Sequence, residues 1–212
     1  MKKLLIQKIN PVQEPKDLGN ILKKGNITYQ TLNEVNWSDY PYKPEVKFAI
    51  AHDGKNIYCH WIVNEQEIKA VSTKDFGEIW KDSCVEFFVA FDDSTYYNIE
   101  TNCIGKMLIG TGKNRHNRGR VPKEFVSKVK RWSSLGTQAI QSDEDIWELS
   151  LIIPSEVFHL NKIENLSKVV AKGNFYKCGD DLKTPHFISW NKIDSPTPDF
   201  HLPVFFGNLA FE

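Results

Sequence analysis

A chain of 212 residues is long enough for one β-sandwich or barrel with a substantial hydrophobic core. Its 27 lysine and arginine residues balance 27 aspartate and glutamate residues, so no net field attracts nucleic acid or anionic lipid. We expect neither nucleic acid nor a membrane as a partner. We expect a single domain over residues 1–212, with its oligomeric state left open, and six tryptophans offer aromatic surface for a binding site.

Residues 1–36 contain scattered prolines and show weak periodicity, which predicts an approach segment with one or two edge strands. The stretch from Met1 to Ile6 resembles the start of a signal peptide, but no small-residue cleavage site follows it. The pattern therefore favours a cytoplasmic location, or an extracellular or periplasmic one if a leader has been removed. No apolar stretch is long enough to cross a bilayer.

A first β-hairpin is predicted between residues 46 and 63, because apolar residues alternate with polar or small ones there. A two-residue turn at Asp53 and Gly54 would place Ile50 opposite Ile57 and bring every apolar residue to one face. The alternating residues are Val46, Phe48, Ile50, Ile57, Cys59, Trp61 and Val63.

A second hairpin is predicted around the acidic turn that begins at Asp92 and Asp93. Its two apolar sets share a face only if the loop contains an odd number of residues, three or five. A polar sheet face then follows on the opposite side, made by Glu86, Asn98, Glu100 and Asn102. The apolar residues are Val85, Phe87, Val89, Phe91, Tyr97, Ile99, Thr101 and Cys103.

The rest of the chain continues the β pattern. A basic loop covers residues 105–125, and strands are predicted at 132–140, 146–153, 168–178 and 186–192, with a closing strand near 205–211. One helical turn is expected after Pro154. Roughly ten short strands with almost no helical period indicate an all-β fold, an antiparallel β-sandwich with jelly-roll-like topology and very little helix.

The four cysteines lack any CxxC spacing, which argues against a zinc site or thioredoxin-like redox chemistry. We expect buried free thiols, with a disulfide left open because sequence alone does not decide it. The residues are Cys59, Cys84, Cys103 and Cys178.

Three segments resemble family 9 carbohydrate-binding modules. The run Ile79 to Phe88 is similar to the family's signature strand, in which a tryptophan is followed by an acidic residue and then Val-Glu-aromatic. The runs at residues 40–44 and 189–207 resemble the same family, so the resemblance covers roughly residues 40 to 212.

This resemblance implies a non-catalytic module that grips the end of a sugar chain between two facing tryptophans, with a glutamate binding the hydroxyls. Trp80 and Glu86 match the motif, and Trp190 is assigned as the second tryptophan. The scheme is physically sound because the axial C–H groups of a pyranose stack on indole rings. Strand parity instead places Trp61 and Trp147 in the core. Further donors and acceptors for the sugar are expected from Arg115, Asn98 and Asn102.

The family often carries structural calcium, which makes Asp92 and Asp93 a candidate calcium site, although both residues also suit a turn. No other cofactor is expected.

Two other functions stay open. One is a glycoside hydrolase or lyase that uses Glu86 and Glu100 as its carboxylate pair. The other is a b-type haem protein that uses Met107 and a histidine.

Overall fold

The computed structural model describes residues 1–143 and 146–212 with their side chains, and residues 144 and 145 as strand backbone. Two short α-helices, α1 (Leu18–Lys24) and α2 (Lys123–Val126), accompany 3-10 turns at Pro15–Asp17, Ile79–Lys81, Ser155–Val157 and Pro203–Phe205. The strands are β1 (Lys3–Lys8), β2 (Gln30–Thr31), β3 (Glu34–Val35), β4 (Glu45–His52), β5 (Asn56–Ala70), β6 (Cys84–Ala90), β7 (Tyr96–Asn102), β8 (Met107–Gly112), β9 (Gly119–Arg120), β10 (Lys130–Ser133), β11 (Ile140–Pro154), β12 (Val170–Cys178), β13 (Phe187–Ser189) and β14 (Gly207–Phe211).

The strands pair along one path in the order β10-β11-β5-β4-β1-β14-β12-β6-β7-β8-β9. This path curls into two facing layers, one ending at β10 and the other at β9. Pairing is antiparallel except at β1, which runs parallel to both β4 and β14. The predicted all-β sandwich is therefore confirmed. No helix in the described part of the chain has the length and hydrophobicity needed to cross a membrane.

Stacked aromatic rings fill the space between the two layers. Phe48 of β4 stacks on Phe175 of β12 with ring centroids 3.9 Å apart, and Phe87 of β6 stacks on the same ring at 4.8 Å. Trp61 and Trp147, predicted to be core residues, are 1% and 0% exposed. Burial of each such side chain stabilises the fold by about 1.5–3 kcal/mol.

The β6–β7 hairpin has the geometry that its sequence pattern predicts. Val89 pairs with Tyr97, so residues 91–95 form a five-residue loop, one of the two expected lengths. Glu86 lies directly opposite Glu100, and Asn98 projects from the same face. The polar sheet face is therefore real, and this face positions the candidate site.

The β4–β5 hairpin differs from its predicted register by two residues. Ile50 pairs with Cys59 rather than with Ile57, because the chain reverses at Gly54 and Lys55, one residue later than predicted. The Asp53 carboxylate accepts the backbone N–H groups of Lys55 at 2.8 Å and Asn56 at 2.6 Å, which stabilises the turn at this position. A shift of two residues preserves strand parity, so the predicted core face is unchanged.

The N-terminal 36 residues do more than the expected approach segment with edge strands. They supply β1, which lies between β4 and β14, and the short strands β2 and β3. They also supply α1, whose Leu18 and Leu22 pack against Tyr58 on the outer face of β5. Further along, the strands predicted at 146–153 and 168–178 are β11 and β12.

Candidate functional site

The candidate site is a cavity of about 490 Å³ over the outer face of β6, β7 and β8. A volume of this order suits a small organic ligand. The 3-10 turn before β6, strand β13 and the segment 198–201 form its walls. The lining residues are Trp80, Glu86, Asn98, Glu100, Leu108, Gly110, Arg115, Arg118, Gly119, Arg120, Cys178, Asp180, Phe187, Pro198, Asp199, Phe200 and His201.

Two buried glutamates form the floor of the cavity. Glu86 is 4% exposed and Glu100 is 5% exposed. The Asn98 Nδ2 donates to Glu100 Oε1 at 2.7 Å, and the Cys178 Sγ donates to Glu86 Oε1 at 3.2 Å. Among the described side chains, none donates a hydrogen bond to Glu100 Oε2. The floor therefore contains one buried carboxylate oxygen that accepts no hydrogen bond from the described residues.

Burial also changes the protonation of this floor. Desolvation raises the pKa of Glu86 well above its usual value, and the neighbouring Glu100 raises it further. Desolvation raises the pKa of Glu100 to about 7 and that of Asp180 to about 6. Near neutral pH the floor thus retains a carboxyl proton, so it is able to donate a hydrogen bond as well as accept one.

Arg118 holds the side of the floor in place. Its Nε and Nη2 donate to Asn98 Oδ1 at 3.2 and 2.5 Å, and its guanidinium lies 4.1 Å from the Tyr96 ring centroid. Gly110 leaves room for this arrangement, because a Cβ there would lie 2.6 Å from Asn98 Oδ1. The Tyr96 hydroxyl in turn hydrogen-bonds His201 Nδ1 at 2.9 Å.

Aromatic side chains form the walls. Trp80 is half-buried in the 3-10 turn before β6, and its carbonyl accepts from the Asp180 N–H at 3.2 Å. Phe187 projects from β13, and Phe200 stacks on Tyr176 with centroids 4.2 Å apart. The cavity therefore combines apolar walls with a polar, buried floor.

Four of the predicted site residues line this cavity, namely Trp80, Glu86, Asn98 and Arg115. The Arg115 Nη1 lies 3.8 Å from Asp199 Oδ1 at the rim, with most of the arginine side chain exposed. Whether these side chains contact a sugar stays a prediction.

The assignment of Trp190 as the second sugar platform requires correction. Trp190 is 2% exposed and belongs to the sandwich core, where its ring meets Phe175 edge-on at 5.8 Å. It has the same strand parity as Ile188, another core residue, whereas Phe187 points to the opposite face and lines the cavity. Alternation along β13 would have identified Phe187 as the aromatic residue of the wall.

Asn102 is also placed outside the cavity lining. Its Nδ2 donates to the Ser72 carbonyl at 3.0 Å and to Asp82 Oδ2 at 2.8 Å, and its Oδ1 accepts the Lys106 N–H at 2.8 Å. The side chain is therefore occupied in anchoring two loops. Several other lining residues were not predicted, and three of them come from loops without a local signal: Asp180, Phe200 and His201.

The candidate calcium turn has the contacts of a loop. Asp92 Oδ1 accepts the Ser94 N–H at 2.7 Å, and Asp92 Oδ2 accepts from Asn161 Nδ2 at 2.5 Å. The Asp93 side chain is 96% exposed and lies 3.5 Å from Lys172 Nζ. These carboxylates do not fit a cage of oxygen ligands, and calcium binding here stays a prediction.

Two further sequence expectations are resolved by burial. Met107 is fully buried in the sandwich core, so the haem alternative loses its methionine ligand. All four cysteines are buried and free, which confirms the expectation of unpaired thiols.

A curled β-sandwich with one aromatic-walled, polar-floored cavity defines a binding domain for small polar ligands. Residues 16–211 match the model of carbohydrate-binding family 9. The chain therefore belongs to carbohydrate-binding family 9. This membership confirms a non-enzymatic carbohydrate-binding domain and sets aside the hydrolase or lyase alternative at Glu86 and Glu100.

Solved structures agree with this assignment. A Bacteroides uniformis protein to which carbohydrate binding is attributed is 44% identical, with a TM-score of 0.96 over 100% of this chain and 99% of that one. A family 9 module from Caldicellulosiruptor kristjanssonii in complex with cellotriose is 13% identical, with a TM-score of 0.65 over 100% and 94%. The structure of such a module with glucose gives 12% identity, a TM-score of 0.64, and 100% and 96% coverage. No curated protein sequence matches the chain.

Proposed function

We propose that the cavity binds a pyranose unit of a mono- or oligosaccharide, held against Trp80 and hydrogen-bonded by the glutamate floor. The observation that carries this proposal is the pair of buried glutamates, Glu86 and Glu100, at the floor of a cavity with aromatic walls. A pyranose matches such a site because its axial C–H groups are apolar and its equatorial hydroxyls require in-plane partners.

The floor supplies most of the polar recognition. Glu86 and Glu100 each accept a sugar hydroxyl proton, and a protonated carboxyl donates to a ring or hydroxyl oxygen. Hydrogen bonds to charged groups contribute about 1.5–3 kcal/mol each where solvent is excluded. Arg115 adds a cationic donor at the rim, where most of its side chain is exposed.

Glucose units are the saccharide class we propose. The support is that family 9 modules of the same fold form complexes with cellotriose and with glucose. In this chain Phe187 and Phe200 take the place of a second tryptophan wall, and a flat β-linked glucose unit fits between such aromatic surfaces.

The test is calorimetric titration of the purified protein with glucose and cellotriose. Trp80→Ala should weaken binding about 10- to 100-fold, because it removes the stacking surface. Trp132→Ala is the matched control, since Trp132 is a half-buried tryptophan on β10, outside this cavity. Unchanged affinity in Trp80→Ala, or an equal loss in both variants, would contradict the proposal.

A further inference from the structure

Three metal-ligating side chains converge at the base of the cavity. Cys84 of β6 lies directly opposite Cys178 of β12, and Glu86 follows two residues later on the same face. Both sulfur atoms and a Glu86 carboxylate oxygen lie within 4.8 Å of one another, and all three residues are buried. Within the described residues this is the group of three that satisfies such a distance limit.

The donor set is characteristic of one class of metal ion. Two thiolates and a carboxylate suit zinc and its softer relatives rather than calcium or magnesium. Zinc–sulfur bonds of about 2.3 Å and zinc–oxygen bonds of about 2.1 Å separate tetrahedral donors by about 3.5 Å. Cys178 Sγ and Glu86 Oε1 already lie 3.2 Å apart, close to this spacing.

A second observation points to a cation at this position. Glu100 faces Glu86 across the β6–β7 ladder, and its buried Oε2 accepts no hydrogen bond from the described residues. Neither glutamate forms an ion pair with a lysine, arginine or histidine in the described part of the chain, as the salt bridges all lie elsewhere. A buried carboxylate without an ion-pair partner is costly in its charged form, and a divalent ion bound to Glu86 would compensate that charge.

We propose that Cys84, Cys178 and Glu86 bind a zinc-class divalent ion at the base of the cavity, with a fourth coordination position open to the ligand space. The fourth position is open to the cavity because two of the three ligands, Glu86 and Cys178, line it. Each thiol loses its proton to solvent as its sulfur binds the ion. Glu86 is then a metal ligand, so the ion and a saccharide compete for its carboxylate.

The sequence alone does not reveal that Cys84, Cys178 and Glu86 lie together. Zinc sites are normally recognised by two cysteines a few residues apart, whereas Cys84 and Cys178 are distant in sequence. They meet because β6 and β12 are hydrogen-bonded neighbours. The lack of CxxC spacing excludes a local zinc motif but not a site whose donors lie on separate strands.

The experiment uses reduced, metal-stripped protein without saccharide, so its outcome is independent of the proposed sugar function. Zinc is titrated against a chromophoric chelator, and cobalt(II) is titrated by absorption spectroscopy. One equivalent of zinc should bind, and cobalt should give a thiolate charge-transfer band with strong tetrahedral visible bands. Calcium should give neither. Absence of saturable one-equivalent binding would overturn the proposal.

Variants identify the ligands. Cys84→Ala and Cys178→Ala should each abolish the charge-transfer band or weaken zinc binding about 100-fold, whereas Glu86→Gln should keep the band and bind about 10-fold more weakly. Cys59→Ala is the matched control, because Cys59 is equally buried but lies in the sandwich core. Full zinc binding in Cys84→Ala or Cys178→Ala would overturn the assignment.

A further measurement on the wild type does not depend on whether the variants fold. Zinc binding in weak buffer should release about two protons, one from each thiol that binds the ion. Binding without proton release would show that thiolates are not the ligands and would also overturn the proposal.

Discussion

Glu86 and Glu100 face each other directly across the β6–β7 ladder, and both side chains are buried in the floor of the cavity. Like charges at opposed positions of an antiparallel pair are destabilising. A strand pair chosen for stability alone would place apolar or oppositely charged residues there. The pair is therefore a feature of the binding site that the rest of the sandwich tolerates.

Glu100→Gln should stabilise the protein at pH 8. Burial raises the folded-state pKa of Glu100 to about 7, so this carboxyl contributes stability below its unfolded pKa and loses it as pH rises through 7. Glutamine stays neutral and keeps an oxygen for Asn98 Nδ2. We expect a gain of about 1–3 kcal/mol in the free energy of unfolding at pH 8, measured in urea.

The same variant at pH 5 is the control for that prediction. The folded carboxyl is already protonated there, so the gain should shrink towards zero. A gain of equal size at both pH values would point to packing rather than charge.

Gly110→Ala should reduce saccharide affinity about tenfold while the fold is kept. The new Cβ would lie 2.6 Å from Asn98 Oδ1, so the amide must move and Arg118 loses its acceptor. Calorimetry with glucose measures the loss. Gly119→Ala is the matched control, because the nearest atom to its Cβ is 3.8 Å away. Equal affinity in the two variants would show that the Asn98 position is unimportant.

His60→Asn should reduce the sensitivity of the fold to acid. His60 is 2% exposed, its Nδ1 contacts Ser150 Oγ at 2.9 Å, and its Nε2 lies 3.7 Å from Glu148. Burial lowers its pKa to about 4, so between pH 6.5 and 4 the unfolded chain binds a proton that the folded protein does not. Stability should fall there by about 1.4 kcal/mol per pH unit because of this residue.

Urea unfolding at several pH values between 6.5 and 4.5 measures this slope. His60→Asn should give a shallower slope than the wild type, whereas exchange of the exposed His116 for asparagine should leave the slope unchanged. Parallel slopes for the wild type and His60→Asn would show that His60 does not cause the loss of stability in acid.

Lys177→Met should destabilise the protein by about 3–5 kcal/mol, because it leaves a buried carboxylate unpaired. Lys177 Nζ lies 2.7 Å from Glu65 Oε2, and both side chains are fully buried. The double variant with Glu65→Gln should recover most of this loss, since the amide oxygen still accepts from Trp147 Nε1. Chemical unfolding of the single and double variants measures the coupling free energy between Lys177 and Glu65. Additive effects of the two substitutions would contradict the prediction.

Much of the fold followed from alternation along the strands. The β6–β7 hairpin, its five-residue loop and the core positions of Trp61 and Trp147 depend on strand parity, which the sequence displays directly. The β4–β5 register did not follow, because a turn at Asp53 and Gly54 and a turn at Gly54 and Lys55 preserve the same parity. The Asp53 side chain decides between them through hydrogen bonds that no periodicity reveals.

The site was predictable only where it lies next to the motif strand. Trp80, Glu86 and Asn98 belong to neighbouring elements of one hairpin and reach the cavity together. Arg118, His201 and Asp180 arrive from separate loops, so their positions depend on tertiary structure that local pattern does not encode. The resemblance assigns Trp190 to the site, whereas the alternation that continues from β13 places it in the core.

The parallel strand β1 has a consequence for synthesis of this protein. Lys3 pairs with Asn208 and Ile6 with Phe211, so β1 is synthesised well before the strand with which it pairs. Until β14 emerges, the nascent chain carries unpaired hydrogen-bonding edges on β1 and β12, which are sites for aggregation. Truncation within β14 should therefore reduce soluble yield far more than the few lost residues would suggest.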